Sequence, residues 1–184
     1  GIVGESGSGK SLSCLSLINL IPGNGKIDKG SIQLNVEENW VDISTSSEKE
    51  LCNIRGRRIG MVFQEPMSSL NPTLRCGKQV EEAIWVHYPE KKNEAKAMVL
   101  SAFEEVQLPN PERIYQSYAH ELSGGQLQRV MIAMALINHP SIIIADEPTT
   151  ALDVTVQAQV LHLLSDLKRD FNTAIVLITH DLGV

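Results

Sequence analysis

The chain has 184 residues, 42% hydrophobic and 21% charged, with a net charge of −6 and a sequence pI near 5.4; this is ordinary globular usage, and a domain of this size buries roughly 70% of its unfolded surface. The longest apolar runs, Val130 to Ile137 and Ile142 to Ala145, fall far short of the ~20 residues of a membrane span. The acidic balance argues against a dedicated nucleic-acid surface despite the small cluster of Arg55, Arg57 and Arg58, and three scattered cysteines, Cys14, Cys52 and Cys76, have neither zinc-site nor disulfide-framework spacing.

After the apolar start Gly1-Ile2-Val3, residues Gly4-Glu5-Ser6-Gly7-Ser8-Gly9-Lys10-Ser11 read G-x-x-x-x-G-K-S and precede a helical run from Leu12 to Ile21. Strand, loop and helix in that order are the setting of a phosphate-binding loop. Glycines at 4, 7 and 9 let successive N–H groups turn toward one anion, and the helix start near Lys10 adds its positive dipole end. Lys10 would then pair the β- and γ-phosphates, and the Ser11 hydroxyl would ligate Mg²⁺. A Gly/Ser-rich turn with a stray lysine is the plainer alternative.

Pro22-Gly23-Asn24-Gly25 breaks the helix, and Ile32, Leu34 and Val36 alternate with polar residues as in a half-buried strand. Asp42 to Asn53 is polar, a loop or short helix, and Ile59 to Phe63 reads as a buried strand ending at Gln64. From Glu65 the character changes. Pro66 and Pro72 punctuate a loop, and two amphipathic patterns follow, one with Val80, Ile84 and Trp85, the other with Ala95, Val99, Ala102, Phe103 and Val106. Pro109 and Pro111 close this part.

Leu122-Ser123-Gly124-Gly125-Gln126 contains an S-x-x-Q capping box, so a helix is predicted from there through Val130, Met131, Met134 and Ile137. Its hydroxyl, glycine N–H groups and helix N-terminus form a second anion site. One chain already has its phosphate loop, so this site is expected to serve a nucleotide held by another subunit.

Ser141 to Asp146 returns to a continuously apolar strand, Val156 to Leu167 carries a helical stripe, and Ala174 to Thr179 is another buried strand. Alternating strands and helices predict an α/β fold with a mainly parallel sheet. Asp146 and Glu147 end a buried strand, where open α/β sheets bind their ligands. Asp146 would hold a hydrated Mg²⁺, and Glu147 would polarise an attacking water. His180 and Gln64 are each ambiguous alone, and gain weight because both end strands expected beside Asp146.

Taken together these residues resemble the ATP-binding subunits of ABC transporters. Gly4 to Ser11 is similar to their Walker A loop, Gln64 to the Q-loop, Leu122 to Gln126 to the signature, Ile142 to Glu147 to Walker B, Ala151-Leu152-Asp153 to the D-loop, and His180 to the switch histidine. Met61 to Pro72, His120-Glu121-Leu122 and Ala145 to Gln159 resemble more closely the oligopeptide, dipeptide and nickel importer ATPases of bacteria. Ala119 departs from the proline usual there. The chain opens without Met and is expected to be an excerpt of a longer protein; the upstream strand whose aromatic residue stacks on adenine and the C-terminal extension of the family lie outside it. ATP is therefore implied by the resemblance and is not readable from these residues.

The change of character at Glu65 and the helical patterns after it read as an inserted helical subdomain over about 65–138, and the resemblance implies that it interrupts a P-loop NTPase (ABC ATPase) core made of 1–64 and 139–184. It implies ATP and Mg²⁺ as ligands, with Ser11, Gln64 and Asp146 at the metal. Glu147 would be the general base, and His180 and Gln64 would complete the catalytic set. Gly4, Ser6, Gly7, Ser8, Gly9, Lys10 and Ser11 would bind one nucleotide, and Ser123, Gly124, Gly125, Gln126 and Asp153 would engage the nucleotide of a second ATPase subunit, identical or paralogous. Permease subunits, and through them a solute-binding protein, would be the other partners, placing the protein peripherally at the cytoplasmic face of a bacterial inner membrane, with no nucleic-acid partner. Two rivals stand beside this reading: a soluble ABC ATPase of DNA repair or translation, and a regulatory module that binds ATP without turnover.

Overall fold

A computed structural model describes residues 1–184 apart from Ser6, Asn24, Ala151, Leu182 and Val184. Of the expectations above, the phosphate contact of Ser6 and the Ala151 position of the D-loop lie outside the described residues. Strand β1 (Ile2–Val3) leads through the glycine-rich loop into α1 (Lys10–Ser16), followed by β2 (Gln33–Val36), β3 (Asn39–Asp42), α2 (Glu48–Ile54) and β4 (Ile59–Val62). A helical stretch then comprises α3 (Pro66–Ser69), α4 (Cys76–Trp85), α5 (Ala95–Glu105), α6 (Pro111–Gln116) and α7 (Gly124–Leu136). Strand β5 (Ile142–Asp146), helix α8 (Val154–Asp170) and strand β6 (Ala174–Thr179) follow.

The larger sheet has the order β1-β6-β5-β4, with every neighbouring pair parallel. Parallel strands buried on both faces need continuous apolar sequence, which β5 supplies with Ile142-Ile143-Ile144-Ala145. Successive side chains point to opposite faces. Ile144 joins Cys14, Ile18, Leu51, Ile54, Ile59 and Ile178 under α1 and α2, whereas Ile143 and Ala145 join a cluster containing Val160, Leu163 and Leu167 of α8. That second cluster runs on without a break through α7 into Phe103, Val99 and Val80, so the helical stretch and one face of the sheet share a core. Register pairs Val62 with Ala145, Asp146 with Ile178, and Val3 with Thr179. The glycine-rich loop, Gln64, Glu147 and His180 therefore all leave the sheet at the C-terminal ends of its strands.

Three local outcomes differ from the periodicity. Helix α1 stops at Ser16 because Asn19 adopts a left-handed φ of 51° and the Leu20 N–H bonds Leu15 O at 2.8 Å, a Schellman closure that ends the helix inside its apolar run. The unanticipated strand β3 pairs with β2 across Glu37 and Glu38, both left-handed, in a two-residue turn usually signalled by Asn or Gly. Pro111 opens a helix instead of closing a segment: it stands at the first turn of α6, with Asn110 accepting from the Arg113 N–H.

Candidate functional site

Helix α1 has no side-chain cap. Its first turn is instead formed by backbone, with Gly9 as N-cap at φ 89° and Gly7 at φ 78°, both conformations that a Cβ would disfavour. The loop closes on itself through the Ser8 N–H to Glu5 O at 3.2 Å. Lys10 is buried, and its ammonium donates to Gly4 O and Glu5 O, each at 2.8 Å, so the side chain lies across the loop it follows. A cleft of about 240 Å³ opens here, lined by Gly7, Gly9, Lys10, Ser11, Gln64 and Glu147, with Leu12 at its side. Beneath the loop, burial first and the Asp146 charge second push the Cys14 thiol up, so it stays neutral.

The carboxylates of β5 divide the far side of the cleft. Asp146 is 5% exposed, and its Oδ1 accepts from the Ser11 hydroxyl at 3.0 Å. Glu147 takes a left-handed φ of 46° while its N–H bonds Ile178 O at 3.1 Å, which turns the chain sharply at the strand end. Its Oε2 accepts from Gln64 Nε2 at 3.3 Å and Thr150 Oγ1 at 2.9 Å, and lies 3.0 Å from His180 Nδ1. A carboxylate oxygen only accepts, so Nδ1 carries the proton in this contact. The other oxygen, Oε1, faces Lys10 Nζ at 3.8 Å. Four sequence-predicted residues, Lys10, Gln64, Glu147 and His180, thus meet at one carboxylate.

Among the described residues no group of three or more His, Cys, Asp and Glu side chains is arranged to hold a metal. The hydroxyl of Ser11 beside the carboxylate of Asp146 is nevertheless a hard-oxygen pair of the kind Mg²⁺ accepts when phosphate oxygens and water complete its shell. Gln64 lines the same cleft, and with its amide nitrogen on Glu147 its oxygen remains available. The residues fit the ion.

The second predicted group gathers elsewhere. Ser123 caps α7 by accepting from the Gln126 N–H at 3.3 Å, and Gln126 Oε1 accepts from the Ser123 N–H at 3.1 Å. Asp153 caps α8 through the Val156 N–H at 3.0 Å. The two helix starts touch, since Gly124 faces Leu152 and Gly125 faces Val156. No hydrogen bond among the described residues joins Ser123, Gly124, Gly125, Gln126 or Asp153 to the glycine-rich loop before α1.

Two contributors escaped the sequence reading. Thr150 bonds Glu147 directly, and Gln157 donates to Thr149 O at 3.2 Å and Leu152 O at 3.1 Å, tying the loop after Glu147 to α8. The only sequence signal was their nearness to the Asp146-Glu147 pair.

Comparison with known proteins agrees with this arrangement. The sequence pattern of the ABC transporter family matches residues 1–150. The chain is 51% identical over its whole length to the oligopeptide transport ATP-binding protein AppD of Bacillus subtilis and 51% identical to the corresponding OppD of Salmonella typhimurium, covering 55% and 53% of those proteins. It therefore spans about half the length of the curated relatives it matches. Among solved structures, the dimeric ATP-binding cassette MJ0796 bound to ADP and Pi superposes with a TM-score of 0.78 at 33% identity over 99% of this chain and 74% of that one. CbiO1 of Clostridium perfringens, part of the cbiONQ transporter complex, gives 0.77 at 29% identity over 98% of this chain and 66% of that one.

Proposed function

The chain belongs to the ABC transporter family, and on that footing we propose that it is the ATP-binding and ATP-hydrolysing part of a subunit that powers a peptide importer. The observation that carries this is the meeting of Lys10, Gln64 and His180 on the Glu147 carboxylate inside the phosphate-loop cleft. Peptide is preferred to nickel because the relatives are named for oligopeptide transport.

The loop N–H groups and the start of α1 hold the phosphates, and Lys10 exchanges the carbonyls of Gly4 and Glu5 for phosphate oxygens. Ser11 and Asp146, with Gln64, hold Mg²⁺, which when bound supplies charge neutralisation at the phosphates. Glu147 takes the proton of the attacking water, and His180 steadies Glu147 and the terminal phosphate.

Ser123, Gly124, Gly125 and Gln126 sit at a helix start separate from the chain's own phosphate cleft, which suits a nucleotide held by a second copy or a paralogue. MJ0796 is dimeric in its ADP-bound form, which supports that reading. Asp153, at the neighbouring helix start, would sense closure across the dimer. No helix among the described residues is long and apolar enough to cross a membrane. Membrane attachment would run through permease subunits, reached peripherally at the cytoplasmic face, and a solute-binding protein would deliver the peptide. We place the divisions of the chain at 64/65 and 138/139, with the permease contact on the helical stretch between them.

The test is Glu147→Gln in the complete protein. Hydrolysis should fall by on the order of 10²- to 10⁴-fold while ATP binding persists, and unchanged turnover would remove Glu147 from the role of base.

A further inference from the structure

We propose that Thr150 is a positioning residue for hydrolysis: its hydroxyl anchors the Oε2 atom of Glu147, so that Oε1 is the oxygen that receives the proton of water. The proposal rests on Glu147 being the base.

The two carboxylate oxygens have unequal surroundings. Oε2 carries the contacts from Thr150, Gln64 and His180, whereas among the described residues Oε1 has one polar neighbour, the Lys10 ammonium, at a separation of 3.8 Å that is long for a hydrogen bond. An oxygen whose lone pairs are already committed is a poor proton acceptor, and Lys10, the neighbour of the other oxygen, lines the cleft together with Glu147.

Of the three partners of Oε2, Thr150 is the one suited to be permanent. Gln64 and His180 are exposed and follow other strands, so each reaches Glu147 only through the packing of separate segments. Thr150 is half-buried and belongs to the same turn as Glu147: its N–H bonds Glu147 O at 3.1 Å while its hydroxyl bonds Glu147 Oε2 at 2.9 Å. One residue thus holds both the main chain and the carboxylate of the base. Thr150 is itself held, because the Gln157 amide of α8 grips carbonyls on both sides of it, at Thr149 and Leu152. Such support matters because Glu147 occupies a left-handed conformation that glutamate adopts reluctantly and that its neighbours must enforce.

In the step itself the water oxygen bonds to the γ-phosphorus, and the bond from that phosphorus to the ADP oxygen breaks with its electron pair remaining on ADP. One proton of the water passes to Glu147 Oε1, and the other stays on the released phosphate. Thr150 contributes no proton; it fixes which oxygen points at the water, and misplacing a reacting group by about 1 Å costs rate out of proportion to the change in structure.

The experiment uses the complete protein with Thr150→Val, Thr150→Ala and Thr150→Ser, each alone and with Glu147→Gln. Thr150→Val should lower kcat by about 10- to 100-fold, the range for losing a hydrogen bond to a charged group, with KM for ATP unchanged. Thr150→Ser, which keeps the hydroxyl, should restore most of the rate. In the Glu147→Gln background Thr150→Val should cost nothing further, because it acts only through the base. Should the valine variant fold poorly, the smaller alanine carries the same comparisons. A wild-type kcat in Thr150→Val or Thr150→Ala, a serine variant as slow as the valine one, or a full additional loss on top of Glu147→Gln would each overturn the proposal. Failure of the underlying reading has a different signature: Glu147→Gln alone then turns over at the wild-type rate, which removes the base and its anchor together.

Discussion

Gly125 packs so closely on Val156 that a Cβ placed on it would stand 2.7 Å from Val156 Cγ1. The glycine is therefore required by contact within the chain, apart from any role its N–H has toward phosphate. Gly125→Ala should destabilise the protein by about 1–3 kcal/mol, the usual range for overpacking. Adding Val156→Ala should return most of that loss, and thermal melts of the two single variants and the double variant measure the coupling. Simple additivity would show that the contact does not constrain the two helix starts.

Ser123 uses its oxygen to cap α7, and among the described residues its hydroxyl hydrogen has no acceptor, so it can serve an external one. Ser123→Arg should leave ATP binding by the single subunit in place and abolish ATP-dependent association in the Glu147→Gln background. Losing the cap costs only about 1 kcal/mol. Size-exclusion chromatography with and without ATP reads the result, and persistent dimers would remove this segment from the cross-subunit site.

The 3.0 Å pairing of Ser11 with Asp146 joins two oxygens assigned to the metal. Ser11→Ala and Asp146→Asn should each raise the Mg²⁺ concentration for half-maximal hydrolysis by at least the roughly 10-fold that loss of even an outer-shell partner costs. A Mg²⁺ titration of ATPase rate that overlays the wild-type curve would assign the ion to other residues.

His87 lines a separate cleft of about 400 Å³ with Gly56, Glu82 and Met134. Burial first, and the neighbouring Arg57 charge second, hold its imidazole below the ordinary value of 6.5, against a smaller upward pull from its bond to the Arg55 main chain. The unfolded chain then binds the proton more readily than the folded one. This contribution to stability is complete above 6.5 and declines as pH falls from there toward the lower folded value. Urea midpoints at about pH 7.5 and about pH 5.5 should differ less in His87→Gln than in wild type; equal differences would show that His87 titrates alike in both states.

Much of the fold could be read in advance because its signals are local. The apolar run of Ile142 to Ala145 declared a buried strand, and Ser123 with Gln126 declared a helix start, since each depends on residues adjacent in sequence or one turn apart. The hairpin at Glu37 and Glu38 and the early end of α1 were hidden because left-handed conformations there fall on Glu and Asn, residues that do not demand them. Thr150 was overlooked for a related reason. Its hydroxyl bonds Glu147 across a turn in which Glu147 itself is left-handed, and nothing in the Glu-Pro-Thr-Thr string announces that turn.

By itself the sequence determined the chemical inventory: a G-x-x-x-x-G-K-S loop, a strand ending in Asp146-Glu147, a capped Ser123-Gly124-Gly125-Gln126 segment, and strand ends at Gln64 and His180. Such inventory is carried by short motifs whose spacing is covalent. Tertiary structure decided which members of it touch. Ser11 reaches Asp146 across 135 positions, and Gln64 reaches Glu147 across 83. These meetings follow from the strand order β1-β6-β5-β4, an order set by burying two faces of one sheet at once, a constraint on the whole chain that no single motif contains.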